Sequence, residues 1–485
     1  MQLFLINYDT HYEIEQLSRM FFRGLTVEKL AEKPELPQQD YILIEKTGTG
    51  FDISVNFGGT VAEDNVVYLP EGPKKEMQLC LGAYKLYEKV CGSGLPWGVL
   101  TGVRPVRLMR NIFAAEKNLE SVQEKFRKDY LVSEEKIQLC TDVFNLQKPV
   151  IDSANPKDYS LYISIPFCPS RCSYCSFVST SIKTAGHLMQ GYVDNLCEEI
   201  RYTAKKAEET GLKLKTIYMG GGTPTAITAS MLEQVMKTVQ ECFDLSKVQE
   251  YTVEAGRPDC TDLEKLKIIK KYGANRVSIN PQTFQDNVLK AIGRNHTHAD
   301  FLRCVSDARE AGFESINMDL IAGLPTDTAE GFSATLEQII GLNPESVTVH
   351  SLSVKKAATI STLGTLPSAE SGKIASQMVR AARSRLQEEG FLPYYMYRQS
   401  KTVGNLENVG YAKRGYEGLY NVYIMDETHT ILACGASAVT KLRQPGGSYI
   451  ERIFNFKYPY EYISRFDELM LRKQGITDFY EKYPF

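Results

Sequence analysis

Long apolar runs are absent from this sequence of 485 residues, so no segment has the length that a membrane-spanning helix requires. Residues 1–9 lack the basic start and the small-residue cleavage site of a signal peptide. Neither charge sign is in excess, and the net charge of -3 gives no electrostatic reason to expect a nucleic-acid partner. The 11 cysteines are an odd number and mostly scattered, which argues against a disulfide framework. We therefore expect a cytoplasmic protein without a membrane span.

Three cysteines are the exception to this scatter. A predicted strand ends at Pro166, because proline lacks the N–H that a sheet ladder needs. Cys168, Cys172 and Cys175 follow at a Cys-x3-Cys-x2-Cys spacing. Thiolates this close together suit an iron–sulfur cluster. Since Ser176 stands where a fourth ligand would come, one iron of a [4Fe–4S] cube would stay open to a small ligand. Zinc binding and three inert buried thiols are the alternatives.

Apolar strands alternate with helical stretches through the middle of the chain. The predicted strands are 161–167, 216–220, 250–255, 276–280, 315–321 and 346–352, with further strands at 394–398, 420–425 and 430–432. Such alternation is typical of a parallel sheet. The first six units predict an α/β fold, a partial (β/α)6 TIM-like barrel whose site lies at the C-terminal strand ends. We place this barrel at 156–365, after an N-terminal accessory α+β domain at 1–155. A C-terminal α+β and helical domain at 366–485 would cover the substrate.

Glycine-rich and acidic motifs follow the predicted strand ends. Gly221, Gly222 and Thr223 follow the second strand. Glycines without a Cβ let a ligand lie against the backbone, although a tight turn would also explain them. Glu254 ends the third strand, so its carboxylate needs a partner if it is buried. Asp319 lies in the fifth strand and is a candidate for the same site, although it could instead cap the following turn.

The cysteine loop, with Tyr174 directly before Cys175, resembles that of the radical S-adenosylmethionine (SAM) superfamily. The flanking Tyr-Ile-Ser-Ile-Pro-Phe-Cys narrows the resemblance to the oxygen-independent coproporphyrinogen III oxidase family, which also holds a haem chaperone. Residues 95–107 resemble the extra N-terminal region of the HemZ branch of that family. The resemblance implies a [4Fe–4S] cluster on three cysteines and one or two SAM molecules. One SAM is cleaved to methionine and a 5'-deoxyadenosyl radical.

By this resemblance the site residues form two groups, one for each of two SAM molecules. The first SAM would contact Tyr162, Gly221 and Glu254, and Tyr162 and Glu254 are also the candidate catalytic residues. The second SAM would contact Tyr174, Gly222, Thr223, Gln282, Arg294 and Asp319. A further SAM-contacting segment of the family is matched loosely, through Ser351.

The resemblance implies oxidative decarboxylation of coproporphyrinogen III to protoporphyrinogen IX, a step of porphyrin and haem biosynthesis. The radical would take a hydrogen from a propionate β-carbon, and loss of carbon dioxide and one electron would leave a vinyl group. Because this tetrapyrrole carries four carboxylates, cationic side chains should line the pocket. Lys355, Lys356 and Arg398 are the candidates, although each could be an ordinary surface charge. A low-potential donor such as flavodoxin or ferredoxin would supply electrons to a monomer.

Two departures from the family pattern leave other functions open. The best-known decarboxylases carry a further cysteine two positions after the third, where this chain has Phe177. The haem-binding His-Asn-x-x-Tyr-Trp of the chaperone branch appears here with Glu407 in place of the histidine and Ala412 in place of the tryptophan. This disfavours haem ligation there. The alternatives are a haem-trafficking protein of the same family and a radical SAM enzyme for another tetrapyrrole.

Overall fold

The computed structural model describes residues 1–8, 11–22, 24–35, 37, 39–70, 74–102, 104–354, 369–399 and 401–485. They divide into two compact units, one of Met1–Phe144 with Arg398–Lys401 and one of Asn145–Tyr397 with Thr402–Phe485. The predicted domain boundaries at 155 and 365 stay predictions. No helix in the described ranges combines the length and the apolar character that a membrane crossing requires.

The first unit is built on a sheet whose described strands stand in the order β2-β1-β3-β4-β5. These strands are β1 (Gln2–Ile6), β2 (Thr26–Leu30), β3 (Tyr41–Lys46), β4 (Gly50–Phe57) and β5 (Thr60–Val67). Its helices are α1 (Tyr12–Phe21), α2 (Lys75–Cys91), α3 (Pro105–Glu116), α4 (Leu119–Lys128) and the first part of α5 (Glu134–Asp152). Alternate side chains of β1, Leu3 and Leu5, join residues of α1 and α2 in one buried cluster. Strands and helices thus share a small core, as the α+β prediction requires.

The second unit contains the chemistry-bearing motifs. Its strands are β6 (Asp158–Ile165), β7 (Phe167–Cys168), β8 (Thr180–Ser181), β9 (Lys213–Gly221), β10 (Glu250–Glu254), β11 (Arg276–Ser278), β12 (Ser315–Ala322), β13 (Ser346–Ser351), β14 (Leu392–Arg398), β15 (Glu407–Ala412), β16 (Thr430–Cys434), β17 (Val439–Arg443) and β18 (Ile450–Phe454). Its helices are α6 (Ile182–Ala185), α7 (Met189–Glu209), α8 (Ala229–Cys242), α9 (Leu263–Lys271), α10 (Asp286–Ala291), α11 (His298–Glu310), α12 (Ala329–Gly341), α13 (Ala369–Glu388), α14 (Leu419–Asp426), α15 (Pro459–Ser464), α16 (Phe466–Lys473) and α17 (Gly475–Lys482).

In the described chain, six neighbouring strands of this unit run parallel, in the order β13-β12-β11-β10-β9-β6. Helices connect each strand to the next along the chain, so the predicted α/β fold with a partial barrel is confirmed. The strands are mostly buried, and polar residues alternate with apolar ones along several of them, so their two faces differ in polarity. The sheet also gains β15, antiparallel to β13, and β16, parallel to β6. The C-terminal ends of the parallel strands share one edge, where the motifs are expected to meet.

One predicted strand is wrong, because residues 420–425 lie in helix α14. The segment is short, apolar and rich in aromatic residues, and such a run can be either a buried helix or a strand. Tyr420 and Tyr423, three residues apart on the helix surface, are both buried. The carboxylate of Glu250 accepts a hydrogen bond from the N–H of Leu419, and a negative charge at a helix N-terminus is favourable. Tertiary contacts therefore decide the structure of this segment.

Candidate active site

The backbone fixes the three-cysteine loop at the end of β6 and β7. Cys168 and Cys172 are buried, and Cys175 is partly buried. The N–H of Ser173 donates to the carbonyl of Ile292 at 2.9 Å, and the N–H of Cys175 donates to the carbonyl of Cys172 at 3.1 Å. The second bond closes a turn within the loop, and the first attaches the loop to the segment after α10.

The glycine run after β9 packs directly on this loop. The N–H of Thr223 donates to the carbonyl of Phe167 at 2.8 Å, and its hydroxyl lies 3.5 Å from the Cys168 sulfur. A Cβ on Gly222 would lie 2.6 Å from the Phe167 carbonyl oxygen, so the position needs glycine. Gly221 has a φ of +105°, which is strained for other residues. Close backbone packing therefore explains part of the glycine run, and it places the run beside the cysteines.

The donor chemistry of the loop fits an iron–sulfur cluster. Each of three thiolates can bind a different iron of a cube, and iron–sulfur clusters are held by cysteines of this kind. Cys168, Cys172 and Cys175 would be the ligands, and the fourth iron would have no protein ligand from this loop. No group of three or more His, Cys, Asp or Glu in the described ranges is arranged as a metal site. The assignment of the cluster therefore rests on the donors and on their position at the barrel edge.

Glu254, at the end of β10, lies in a polar network at this edge. The Tyr218 hydroxyl donates to one of its carboxylate oxygens, and the Asn280 amide donates to the other at 3.2 Å. Burial raises the pKa of Glu254 to about 7, and the charge of Asp319 adds to the rise, while the two hydrogen bonds oppose it. The carboxyl group can therefore hold or release a proton near neutral pH.

Asp319, in β12, belongs to the same network but behaves in the opposite way. Its carboxylate accepts from the Asn317 amide at 2.7 Å and lies 3.5 Å from the His350 ring nitrogen Nε2. Burial alone would raise the pKa of Asp319, but the hydrogen bond and charge of His350, with further hydrogen bonds, hold it below its ordinary value. Asn280 links the two residues, because its amide donates to the Glu254 carboxylate and its Oδ1 accepts from the backbone N–H of Asp319 at 3.3 Å. Two linked carboxyls with opposite shifts can take different protonation states at one pH.

Tyr162, in β6, is part of a stack of three tyrosine rings, of which Tyr420 is buried and the other two are partly buried. Its ring centroid lies 6.3 Å from those of Tyr218 and Tyr420, and the latter two are 4.6 Å apart and nearly parallel. Burial raises the pKa of Tyr162 to about 12, and the charge of Glu254 adds to the rise. The hydroxyl of Tyr162 therefore stays protonated at neutral pH and can donate a hydrogen bond.

Gln282 and Arg294 contact different parts of the site. Gln282 has a φ of +65°, and its N–H donates to the Asp319 carbonyl at 2.9 Å. Among the described residues no atom donates to its buried side-chain oxygen Oε1, and such an orphan acceptor calls for an explanation such as a missing ligand. Arg294 donates to the Asn280 carbonyl at 2.6 Å and to the Tyr174 hydroxyl at 3.3 Å. Among the predicted SAM-contacting residues, Gln282 therefore has a buried acceptor that a bound ligand could satisfy.

Ser351 lies at the end of β13, but its polar groups are engaged with β15. Its hydroxyl donates to the Glu407 carbonyl at 2.7 Å, and its N–H donates to the Asn408 side-chain oxygen at 2.8 Å. These bonds give Ser351 a structural role at the sheet edge. Its predicted contact with SAM stays a prediction.

Of the three cationic residues predicted to bind substrate, only Arg398 is among the residues that the structure describes. Lys355 and Lys356 lie outside the described residues. Arg398 is buried, donates to the Leu100 carbonyl and places its guanidinium 5.2 Å from the centre of the Trp97 ring. Arg398 therefore serves at least to hold the segment around Trp97, and a role toward substrate carboxylates stays a prediction.

Three residues of this edge were not assigned a role from sequence. They are Tyr218, Asn280 and Arg257, which lie within or just after β9, β11 and β10. The rule that sites form at the C-terminal ends of parallel strands could have identified them, because each sits at or near such an end. Their partners come from different strands, which sequence spacing does not show.

Comparison with known proteins agrees with this geometry. Residues 162–339 match the model of the Radical SAM superfamily. The oxygen-independent coproporphyrinogen-III oxidase-like protein HemZ of Bacillus subtilis is 38% identical over 76% of this chain and 75% of its own length. The heme chaperone HemW of the same organism is 32% identical over 62% of this chain and 77% of its own. The structure of coproporphyrinogen III oxidase HemN from Escherichia coli shares the fold, with a TM-score of 0.52 and 23% identity over 67% of this chain and 73% of that one.

The barrel and the three-cysteine loop are those of a radical SAM protein. The chain belongs to the family of radical SAM proteins that contains coproporphyrinogen III oxidases, HemZ and the HemW chaperones. The predicted cofactors, a [4Fe–4S] cluster and SAM, are confirmed as those that this superfamily uses. The predicted resemblance is confirmed as well.

Proposed function

We propose that this protein oxidatively decarboxylates coproporphyrinogen III to protoporphyrinogen IX without oxygen. Its similarity to HemZ, over three quarters of both chains, supports a substrate of the tetrapyrrole class. The same similarity extends to HemW, so the choice between an enzyme and a chaperone must come from the site itself.

The observation that carries the proposal is the position of Glu407. It stands where the chaperone branch has its haem-binding histidine, and it is only 1% exposed within β15. Glu407 begins β15, which lies between β14 and β13 and is therefore not an edge strand. A buried glutamate offers no imidazole to a haem iron. The chaperone's mode of haem binding is therefore missing here, while the three cysteines and the polar edge remain.

The residues of the barrel edge have distinct tasks in this proposal. When bound, the cluster supplies the electron that cleaves SAM. Asp319, ionised beside His350, attracts a cationic group such as the SAM ammonium. Glu254 and the Tyr162 hydroxyl offer an acceptor and a donor for the hydroxyl groups of SAM. The orphan oxygen of Gln282 accepts from an N–H or O–H donor of the bound molecules.

The direct test is an anaerobic assay of the reconstituted full-length protein with SAM, a reductant and coproporphyrinogen III. We expect protoporphyrin fluorescence after oxidation of the product, together with release of 5'-deoxyadenosine. Cys172→Ala, which removes one cluster ligand, should abolish both signals. Formation of 5'-deoxyadenosine without any vinyl product would contradict the proposed substrate but not the radical chemistry, and another tetrapyrrole would then be the next substrate to test.

A haem-trafficking protein is the second candidate, because HemW of Bacillus subtilis matches this chain over 77% of its own length. Haem titration of the same preparation distinguishes the two. Tight haem binding with an axial-ligand spectrum, combined with no vinyl product, would favour trafficking. We expect no histidine-ligated haem spectrum, and Glu407→His is the matched variant that should introduce part of the chaperone motif.

A further inference from the structure

Arg257, three residues after β10, has a side chain whose donors are all engaged, three of them at the cysteine loop. The residue is only 3% exposed. Its Nε and one Nη donate to the two carboxylate oxygens of Asp259 at 2.9 and 2.7 Å. The remaining contacts are with the Ser170 carbonyl at 3.1 Å, the Ser170 hydroxyl at 2.9 Å and the Cys172 sulfur at 3.3 Å. A guanidinium has five N–H donors, and each has an acceptor here.

The contact with the Cys172 sulfur distinguishes Arg257 from its neighbour Arg294. Arg294 directs its donors to the oxygens of Gly256, Asn280 and Tyr174. Arg257 instead places a permanently charged N–H on the sulfur of a predicted cluster ligand, in a site from which water is largely excluded. A charge-assisted hydrogen bond is strong in such surroundings.

We propose that Arg257 is a positioning residue that sets the reduction potential of the cluster through an N–H···S hydrogen bond to Cys172. A cluster on thiolates becomes more negative when it accepts an electron. Hydrogen bonds to the ligand sulfurs are among the features that set the potential of such clusters, and a donor stabilises the more negative, reduced form. Arg257 therefore makes the electron needed for SAM cleavage easier to add.

The carboxylate of Asp259 reduces the contribution that the net charge of Arg257 makes to the reduction potential. Asp259 pairs with Arg257 and offsets much of its charge at a distance. The effect of Arg257 on the cluster therefore comes chiefly from the N–H that points at the Cys172 sulfur. The direction of this N–H depends on the planar geometry of the guanidinium. Lysine would keep the charge but not the fork, so it should replace arginine only in part.

The test is a redox titration of the reconstituted protein followed by electron paramagnetic resonance, without substrate. For Arg257→Gln we expect the ratio of reduced to oxidised cluster at a fixed potential to fall about tenfold, which is 59 mV for one electron. Arg257→Lys should lie between this variant and the wild type. Arg171→Gln is the charge control, because it removes an exposed positive charge that also acts on Cys175, and it should lower the ratio much less than Arg257→Gln.

Several outcomes would overturn the proposal. An unchanged ratio in Arg257→Gln at full iron content is one, and an equal fall in Arg171→Gln is another, since it would indicate a simple charge effect. If the variants lose the cluster, the wild type labelled with 15N in its arginine side chains decides the matter. The reduced cluster should show a coupling to 15N by pulsed magnetic resonance, and its absence would refute the hydrogen bond. The inference rests on the cluster of the proposed function and not on its substrate, so the two can fail separately.

Discussion

Replacing Glu254 with glutamine is expected to stabilise the cofactor-free protein at alkaline pH and not at acidic pH. Glu254 is held in a polar network with Tyr218 and Asn280, close to the charge of Asp319. Glutamine has nearly the same shape as a protonated glutamic acid and, like it, carries both a donor and an acceptor. It therefore reproduces the protonated form and removes only the ionisation.

The sign of the effect follows from the raised pKa of Glu254. Below the ordinary carboxyl pKa of 4.5 the folded and unfolded chains both hold the proton, so the group costs the folded protein no stability. Between 4.5 and about 7 the unfolded chain releases its proton first, and the stability of the wild type falls as the pH rises. Above that range the loss is complete. A tenfold change in an equilibrium constant is about 1.4 kcal/mol, so a pKa change from 4.5 to about 7 corresponds to a loss of at most about 3.5 kcal/mol, and the partial exposure of the side chain to water makes the loss smaller.

Urea unfolding at a series of pH values measures the difference directly. We expect the stability of Glu254→Gln relative to the wild type to increase by about 2 kcal/mol between about pH 5 and about pH 8.5. Glu264→Gln, at an exposed glutamate on α9, is the control and should show no such trend. If the curves of Glu254→Gln and the wild type run parallel over this range, Glu254 does not titrate as the structure indicates.

Three further changes test other parts of the structure. Cys172→Ala should remove bound iron and the brown thiolate-to-iron absorbance after reconstitution, whereas Cys304→Ala, at a buried cysteine on α11, should keep both. Gly221→Ala introduces strain at a φ of +105°, and we expect release of 5'-deoxyadenosine to fall about tenfold at unchanged iron content. Lys473→Met leaves Glu199, its fully buried partner at 2.9 Å, without a counter-charge; urea unfolding should show a loss of about 3–5 kcal/mol, and adding Glu199→Gln should restore part of it.

Most of the barrel could be predicted from the sequence, because its parallel strands are buried on both faces. A strand such as β12 (Ser315–Ala322) carries Ile316, Met318 and Leu320 at alternate positions, and the predicted bounds of 315–321 differ from it by one residue. The strand predicted at 420–425 was wrong, because a short apolar run suits a buried helix as well as a strand. Its helical form depends on Glu250, a contact that local pattern does not contain.

The site was predictable where its residues are adjacent in sequence. The spacing of Cys168, Cys172 and Cys175 indicates the cluster loop, and the two carboxyls follow from Glu254 at the end of one predicted strand and Asp319 within another. The protonation difference between those carboxyls was not predictable, because it depends on partners from several strands. The tyrosine stack was missed in the same way, since one of its rings comes from α14.

The support of the cysteine loop reaches far along the chain. The hydroxyl of Tyr192, on α7, donates to the Ser164 carbonyl at 2.7 Å and accepts from the Ala436 N–H at 2.8 Å. Glu199, about two turns further along the same helix, accepts a hydrogen bond from the Gly435 N–H at 2.7 Å. These bonds fasten the loop after β16 onto the end of β6, two residues before Pro166. A segment that sequence analysis assigns to a C-terminal cover therefore also braces the strand that presents the cysteines, and the geometry of the cluster site depends on both.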